Sequence, residues 1–248
     1  MPRPSRARAL DLDLARRHPR GRVREVSLSD RLLGIACAAM ALQEADSGHL
    51  GVAAGVLYGR RPAFLPLLPP WVDAVLWLAL IAAGAALALG WRRQAALRTA
   101  TVLVALSLTQ AYFNQKMFLF LILASLALES PRAARAQLLL LYIASAAFKL
   151  RDGFWTGASL SALLQQITDR GLAPLVVLPL SLAPWAAKFS LAAEAMIPLA
   201  LWKKPVWGVA AVIALHLGFS LCVPGLWAFT CACIAAALLF LPAQIALE

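Results

Sequence analysis

The chain has 248 residues, of which 62% are hydrophobic and 14% are charged, and its mean hydropathy is +0.76. Soluble domains carry about 25% charged and about 45–50% apolar residues, and one core in a chain of this length cannot bury so many long apolar runs. The composition therefore excludes an ordinary soluble protein and predicts an all-α, polytopic membrane helix bundle. At about 20 residues for each crossing, we expect about eight transmembrane helices.

The net charge of +11 is concentrated near the N-terminus, where nine of the 23 basic residues are arginines between Arg3 and Arg31. This segment lacks the aromatic residues that stack on bases in nucleic-acid-binding proteins, so no nucleic-acid partner is predicted. No apolar run precedes Leu32, which argues against a cleaved signal peptide. Residues 1–30 are therefore predicted to form a basic cytoplasmic tail that faces anionic lipid.

The first half of the chain contains four predicted helices. The first is Arg31–Ser47, and a loop rich in Gly, Pro and Arg follows it at 48–70. The second is Trp71–Gly90. Residues 97–130 are too long for one crossing, and the polar stretch at 113–116 divides them into two short helices joined by an outer turn.

The second half contains two interfacial segments and four further helices. Arg151–Gly171 is polar and partly amphipathic, so it is predicted to lie at the membrane interface. Leu172–Trp185 carries three prolines spaced five apart, and these interrupt backbone hydrogen bonds that lipid cannot replace. It is therefore predicted to be re-entrant or interfacial. The predicted helices are Ala136–Leu150, Ala186–Trp202, Val206–Cys222 and Gly225–Leu241. The transmembrane domain would then cover 31–242, and 243–248 would be a short C-terminal tail.

The distribution of basic residues predicts the orientation. Sixteen of the 23 lysines and arginines fall on segments that this layout places inside, and four fall on outer segments. Cytoplasmic loops carry such an excess, so we expect both termini in the cytoplasm and the chain in the inner or plasma membrane.

The four cysteines lie in apolar runs without a CxxC pair, so they are interpreted as small buried hydrophobes, and no metal site is predicted.

Seven polar residues fall within the predicted helices or at their ends, where a lysine or aspartate at mid-span costs about 2.5–3.5 kcal/mol. They are Asn114, Gln115, Lys116, Lys149, Lys188, Glu194 and His216. The predicted layout places them in the outer half of the bundle, and a set of five (Asn114, Lys116, Lys149, Glu194 and His216) is predicted to line one ligand pocket. The alternatives are structural: lysines that extend to headgroups, a turn at Asn114 and Gln115, a glutamate paired with a lysine, and a histidine bonded to a neighbouring helix.

Two stretches carry a resemblance to a known family. Tyr142-Ile-Ala-Ser-Ala-Ala-Phe-Lys149-Leu150, followed by Trp155-Thr-Gly157, is similar to the Tyr…Ala…Lys-Leu…Trp…Gly signature of the HTTM (horizontally transferred transmembrane) family, which includes the membrane part of vitamin K-dependent γ-glutamyl carboxylase. Phe113-Asn-Gln-Lys-Met-Phe-Leu-Phe120 resembles that family's Trp-Asn-Asn-His-Ser-Tyr-Leu-Tyr stretch. The resemblance covers positions 30–242.

Weaker similarities follow the same order along the chain. Glu194 and His216 fall where the family carries an acidic residue and a helix-borne histidine. Gly225-Leu-Trp-Ala-Phe229 is similar to the family's final helix, and Arg31 with Asp46 resembles its first helix.

The resemblance implies base-catalysed chemistry on a quinol-like, lipophilic cofactor. Lys149 would be the base that removes a proton from the quinol, and His216 and Lys116 would hold the anion that forms. Burial favours the neutral amine that a base requires. Asn114, Gln115, Glu194, Tyr142 and Trp155 would contact the ligand.

The sequence also departs from the family. Lys116 stands where the carboxylase has a histidine, Gln115 stands where it has a second asparagine, and Trp155 and Gly157 are one residue closer than in the family pattern. Only six residues follow Pro242, so no extracytoplasmic domain for a protein substrate is expected, and quinol chemistry is favoured over protein carboxylation. The alternatives are a non-enzymatic protein that acts with a partner protein or peptide, similar to the HTTM protein of the sporulation-delaying toxin system, and a DoxX-like quinone-linked redox subunit.

Overall fold

The computed structural model describes the backbone of residues 26–50, 69–110, 114–169 and 171–242. Outside this description lie residues 1–25 of the predicted 1–30 tail, the predicted tail at 243–248, most of the loop at 48–70, and the side chain of Asp46. Residues 28–30 of the predicted tail belong to the first helix. Nine α-helices lie in the described residues: α1 Leu28–Leu50, α2 Pro70–Ala88, α3 Arg93–Gln110, α4 Asn114–Ala127, α5 Pro131–Arg151, α6 Ala158–Asp169, α7 Ala183–Lys203, α8 Pro205–Cys222 and α9 Trp227–Leu238. Two 3-10 turns, at Phe154–Thr156 and Leu180–Leu182, separate α5, α6 and α7.

The prediction of an all-α architecture is confirmed for the described residues, in which no strand occurs. Each of the eight predicted helices overlaps one observed helix, and the ninth, α6, lies within the segment predicted to be amphipathic. Its Leu160, Leu164 and Ile167 are buried at helical spacing while Gln165 and Thr168 are exposed. The proline-rich segment after α6 forms no long helix, and the N–H of Val176 donates to the carbonyl of Leu221 at 2.9 Å.

Three helices are long and apolar enough to cross a membrane, and these are Trp71–Ala88 in α2, α5 and α8. Helices α4 and α9 are also apolar, but they have 14 and 12 residues. Among the described residues, fewer helices are therefore long and apolar enough to cross a membrane than the eight crossings that were predicted.

The breaks between helices follow from local sequence. Prolines lie in the first turns of α2, α5, α7 and α8. In a first turn the backbone N–H that proline lacks would have no acceptor within the helix, so no hydrogen bond is lost. Gly90 follows α2 with φ of 72°, a conformation that suits glycine. The short connections, such as Lys204 between α7 and α8, make consecutive helices antiparallel neighbours.

Small residues allow α1 and α2 to pack closely. A Cβ added to Gly84 would lie 2.5 Å from the carbonyl oxygen of Gly34, so the two backbones are nearly in contact. Such contacts between small residues are typical of helices that associate in membranes. They hold α1 and α2 together as one side of the bundle, while α5, α7 and α8 form the other.

The outward surface of the bundle is apolar. Only 22% of the residues in the apolar windows of α2 and α5, and 33% in that of α8, are buried inside the protein. Large side chains such as Leu78, Leu140 and Trp207 point outward with more than 60% of their surface exposed. Exposed apolar patches of this extent mark a protein or membrane contact surface.

Candidate functional site

The central candidate residues lie on the facing sides of α5 and α7. In α7 the buried residues follow a spacing of four and three, namely Ala183, Ala187, Ser190, Glu194, Ile197 and Leu201. This spacing places them on one stripe of the helix. In α5, Tyr142, Ser145 and Lys149 are separated by three and four residues, so they also share a side. The two stripes meet along the α5–α7 contact.

Lys149 and Glu194 form an ion pair between these stripes. The Nζ of Lys149 lies 2.6 Å from Oε1 of Glu194 and donates to Oγ of Ser190 at 2.8 Å. The Oγ of Ser145 donates to the second carboxylate oxygen, Oε2 of Glu194, at 2.7 Å. The side chains of Lys149 and Glu194 are 18% and 10% exposed. We call Lys149, Glu194, Ser145 and Ser190 the Lys149 cluster.

Two aromatic rings complete the surroundings of the Lys149 amine. Its Nζ lies 4.6 Å from the ring centroid of Phe154 and 5.3 Å from that of Phe219, which is the range of cation–π attraction. Phe154 is presented by a 3-10 turn with left-handed glycines on both sides, Gly153 and Gly157. Trp155, which was predicted to contact the ligand, is half exposed in that turn, and the ring near the amine belongs to its neighbour Phe154.

A second polar pair lies deeper along the same side of α5. The hydroxyl of Tyr142 and Nε2 of His216 are 2.7 Å apart, and both residues are buried. Tyr142 lies on the same side of α5 as Ser145 and Lys149, so this pair continues the polar stripe that carries the Lys149 cluster. The His216 ring also packs edge-on against Phe229, with centroids 5.3 Å apart.

An apolar cavity of about 180 Å³ ends at the Lys149 cluster. Its lining comes from α6, α7, α8 and the segment after α6, and it is almost entirely apolar. Two lining residues, Ser190 and Phe219, are also direct neighbours of the Lys149 amine. Ligand pockets commonly combine such an apolar lining with a few convergent polar groups.

Lys116 lies in a different cluster, built from α1, α3 and α4. Its Nζ is 2.5 Å from Oε1 of Glu44 and 2.7 Å from Oγ of Ser107, and the Ser107 hydroxyl donates to the second Glu44 oxygen at 2.7 Å. The Lys116 side chain is 0% exposed. We call Lys116, Glu44 and Ser107 the Lys116 cluster. Phe118, two residues after Lys116 in α4, packs against Phe229 with ring centroids 5.7 Å apart, and Phe229 in turn packs against His216.

The structure therefore brings four of the predicted residues together and places others elsewhere. Lys149, Glu194, Tyr142 and His216 form one neighbourhood. Lys116 was predicted to share a pocket with them, but its described side-chain contacts are with Glu44 of α1 and Ser107 of α3. Asn114 and Gln115 begin α4 beside it, exposed and half-buried. Lys188 is exposed, with its amine 4.9 Å from the Trp185 ring.

The site also contains residues that the sequence analysis did not single out, namely Ser145, Ser190, Phe154 and Phe219. The helical period offered a signal for two of them, since Ser145 precedes Lys149 by four residues and Ser190 precedes Glu194 by four. No pattern in the sequence indicated the two phenylalanines. Their positions depend on the turn after α5 and on the rotation of α8.

At the C-terminal end of α5 the chain becomes polar. Nε of Arg151 donates to Oδ1 of Asp152 at 2.7 Å, and this hydrogen bond lowers the pKa of the exposed Asp152 carboxyl. The Lys149 amine is thus only about one helical turn from an exposed ion pair.

No protein-family model, no curated protein and no solved structure matches the chain. Among the described residues, no group of three His, Cys, Asp or Glu side chains is arranged to hold a metal ion.

Proposed function

We propose that this chain is an integral protein of the cell membrane that binds a lipophilic, quinol-like ligand and uses Lys149 as a base. The outward apolar surface and the three long apolar helices support membrane insertion. The eight predicted crossings, with both termini in the cytoplasm, remain part of this proposal. Its resemblance to the HTTM family supports the choice of ligand.

Tryptophans at both ends of the bundle support this placement. Trp71 and Trp91 flank α2, while Trp185 and Trp202 lie near the two ends of α7, and all four are largely exposed. At 1.5 Å for each helical residue, Trp185 and Trp202 are about 25 Å apart along the axis of α7, close to the hydrocarbon thickness of a bilayer. Tryptophan is enriched at both membrane–water interfaces.

The observation that carries the ligand proposal is the junction between the apolar cavity and the Lys149 cluster. An apolar chain would lie among the cavity residues such as Leu164 and Leu215, and its polar head would reach Ser190. The cavity volume of about 180 Å³ is smaller than the about 300–1,000 Å³ of pockets for whole drug-sized ligands. It therefore suits one chain segment next to a head group.

The Lys149 cluster would place a base beside the ligand. Nζ of Lys149 lies 2.6 Å from Oε1 of Glu194, so the carboxylate fixes the position of the amine. In its neutral form Lys149 would accept a proton from a ligand hydroxyl. Ser145 keeps Glu194 in place by its hydrogen bond to the other carboxylate oxygen. The quinol would supply the two electrons that reduce oxygen, while the protein supplies the binding site and the base. We do not assign an anion-binding role to Lys116, because Glu44 already neutralises it.

The first test is the identity of the bound lipid. Purified protein should retain a quinone that organic extraction releases, and an added naphthoquinol should support oxygen uptake that depends on Lys149. A preparation that neither retains a quinone nor consumes oxygen with added naphthoquinol would contradict the quinol proposal.

A second test addresses orientation. Asp152→Cys should react with a membrane-impermeant maleimide added outside intact cells, whereas Lys203→Cys should react only after lysis. The wild-type protein, with its four native cysteines, provides the background. The opposite labelling pattern would reverse the proposed topology.

The non-enzymatic alternative is favoured by one observation. Lys149 already has an ion-pair partner and a hydrogen-bond acceptor, as a purely structural lysine would. Under that alternative, replacing Lys149 and Glu194 together by neutral residues would preserve the biological role of the protein. Under the proposed function it would not.

A further inference from the structure

Ser190 occupies the position of a nucleophile beside a base and an orienting acid. Its Oγ is 2.8 Å from Nζ of Lys149, and Lys149 is 2.6 Å from Glu194. Hydrolytic serine sites require these two links, from nucleophile to base and from base to an orienting group. Serine–lysine pairs perform this chemistry on several unrelated folds.

Ser190 also faces the place where a lipid chain would lie. The residue is 1% exposed and yet lines the apolar cavity. A buried residue on the wall of a cavity can contact a ligand there while it is shielded from bulk water.

The depth of Ser190 suits a lipid ester. Ser190 follows the exposed Trp185 by five residues, which is about 7.5 Å along the helix axis. Since tryptophan marks the headgroup level, Ser190 lies near the boundary between headgroups and acyl chains, where the ester groups of lipids are found. We propose that Ser190 is the nucleophile of an acyl-transfer site that takes the ester of a long apolar chain.

The reaction is balanced by the residues present together with the ester and water. The Oγ of Ser190 bonds to the ester carbonyl carbon and its proton passes to neutral Lys149. The ester C–O bond breaks, and the departing alkoxide takes that proton, leaving an acyl group on Ser190. Water then attacks the acyl carbon and gives a proton to Lys149, and the proton returns to Ser190 as the acid leaves. Glu194 orients Lys149 through its contact with Nζ at 2.6 Å.

This inference shares the cavity and Lys149 with the proposed function but requires neither a quinol nor oxygen. The two can therefore fail separately. If the protein retains a quinone but shows no serine reactivity, the acyl-transfer proposal is contradicted and the quinol proposal is not. If it shows serine reactivity but binds no quinone, the quinol proposal alone is contradicted.

The test uses the full chain in lipid nanodiscs and a fluorophosphonate that carries a long alkyl chain, because this probe forms a covalent bond with activated serines. We expect labelling of the wild-type protein, with the adduct mass on the peptide that contains Ser190. Ser190→Ala should abolish labelling, and Lys149→Met should slow it by about 100-fold or more, the usual contribution of a general base. Ser159→Ala, at an exposed position of α6, is the matched control and should label as the wild type does.

Two results would overturn the inference. One is wild-type protein without an adduct on the Ser190 peptide, and the other is Lys149→Met protein that labels at the wild-type rate. Peptide mapping of the wild-type protein identifies the serine even if Ser190→Ala does not fold. Size-exclusion profiles and helical circular dichroism verify that each variant is folded.

Discussion

The two halves of the bundle contain the same three residue types in nearly the same arrangement. In the Lys116 cluster, a lysine contacts a glutamate at 2.5 Å and a serine at 2.7 Å. In the Lys149 cluster the corresponding distances are 2.6 and 2.8 Å. The clusters differ in access, because the Lys116 side chain is 0% exposed and the Lys149 side chain is 18% exposed.

The comparison shows that a charged residue in an apolar bundle is not by itself a functional residue. Intramembrane ionisable groups are functional candidates by default, yet Lys116 connects α4 to α1 and α3 through partners that neutralise it. Lys149 has equivalent partners, and in addition its neighbours Ser190 and Phe219 line a cavity. We therefore infer a structural role for the Lys116 cluster and a chemical role for the Lys149 cluster.

The largest expected difference between the clusters is in turnover. Arginine retains a positive charge but does not deprotonate at working pH, so Lys149→Arg should lower naphthoquinol-dependent oxygen uptake by about 10²–10⁴-fold. Lys188→Arg is the matched control, since Lys188 is exposed on the same side of the membrane as proposed for Lys149, and it should retain the wild-type rate. Equal rates of oxygen uptake in the Lys149→Arg and Lys188→Arg variants would contradict the role of Lys149 as a base.

Replacing Lys116 should affect the stability of the protein rather than its turnover. Lys116→Met leaves the Glu44 carboxylate in the bundle without its lysine, which should reduce the free energy of unfolding by about 3–5 kcal/mol. Adding Glu44→Gln should restore much of this loss and also preserve turnover. The corresponding double variant, Lys149→Met with Glu194→Gln, should be stable but inactive. Reversible unfolding in mixed micelles together with oxygen uptake would measure both properties.

Much of the helix layout could be predicted from the sequence, because apolar runs and prolines act locally. The eight predicted helices overlap observed ones, and the non-helical segment around Pro174 and Pro179 was expected from proline chemistry. The number of crossings could not be predicted as firmly. Helices α4 and α9 are shorter than a simple membrane span, and composition alone does not determine whether a short helix crosses.

The site could be predicted only in part. Lys149, Glu194 and His216 stood out because polar residues in apolar helices are costly. Their grouping depends on helix rotation, which periodicity defines poorly when both faces of a helix are apolar. For that reason Lys116 was grouped with Lys149, while Glu44, which contacts Lys116 from the first helix, was not singled out.

Filling the cavity should affect the Lys149 cluster without disturbing the fold. Gly218 lines the cavity, and a Cβ added there meets no other atom within 4 Å. Gly218→Leu should therefore be accommodated and occupy the space of the ligand chain, reducing quinone retention by about tenfold, or about 1.4 kcal/mol. Ala210→Leu, at an exposed position of the same helix, should retain the wild-type quinone content. If Gly218→Leu also retained it, the ligand would lie outside this cavity.

The smallest expected effect concerns Ser145, which is a positioning residue. Its hydroxyl donates to Glu194 at 2.7 Å, and the Lys116 cluster has the equivalent bond from Ser107 to Glu44. Hydrogen bonds to charged groups contribute about 1.5–3 kcal/mol, so Ser145→Ala and Ser107→Ala should destabilise the protein to similar extents. Only Ser145→Ala should in addition lower kcat, by about tenfold with little change in KM, because only Glu194 orients a reacting lysine. Steady-state oxygen uptake at varied naphthoquinol concentration separates kcat from KM. If Ser107→Ala lowered kcat as much as Ser145→Ala at equal stability, the two clusters would be functionally equivalent, and the distinction based on access would fail.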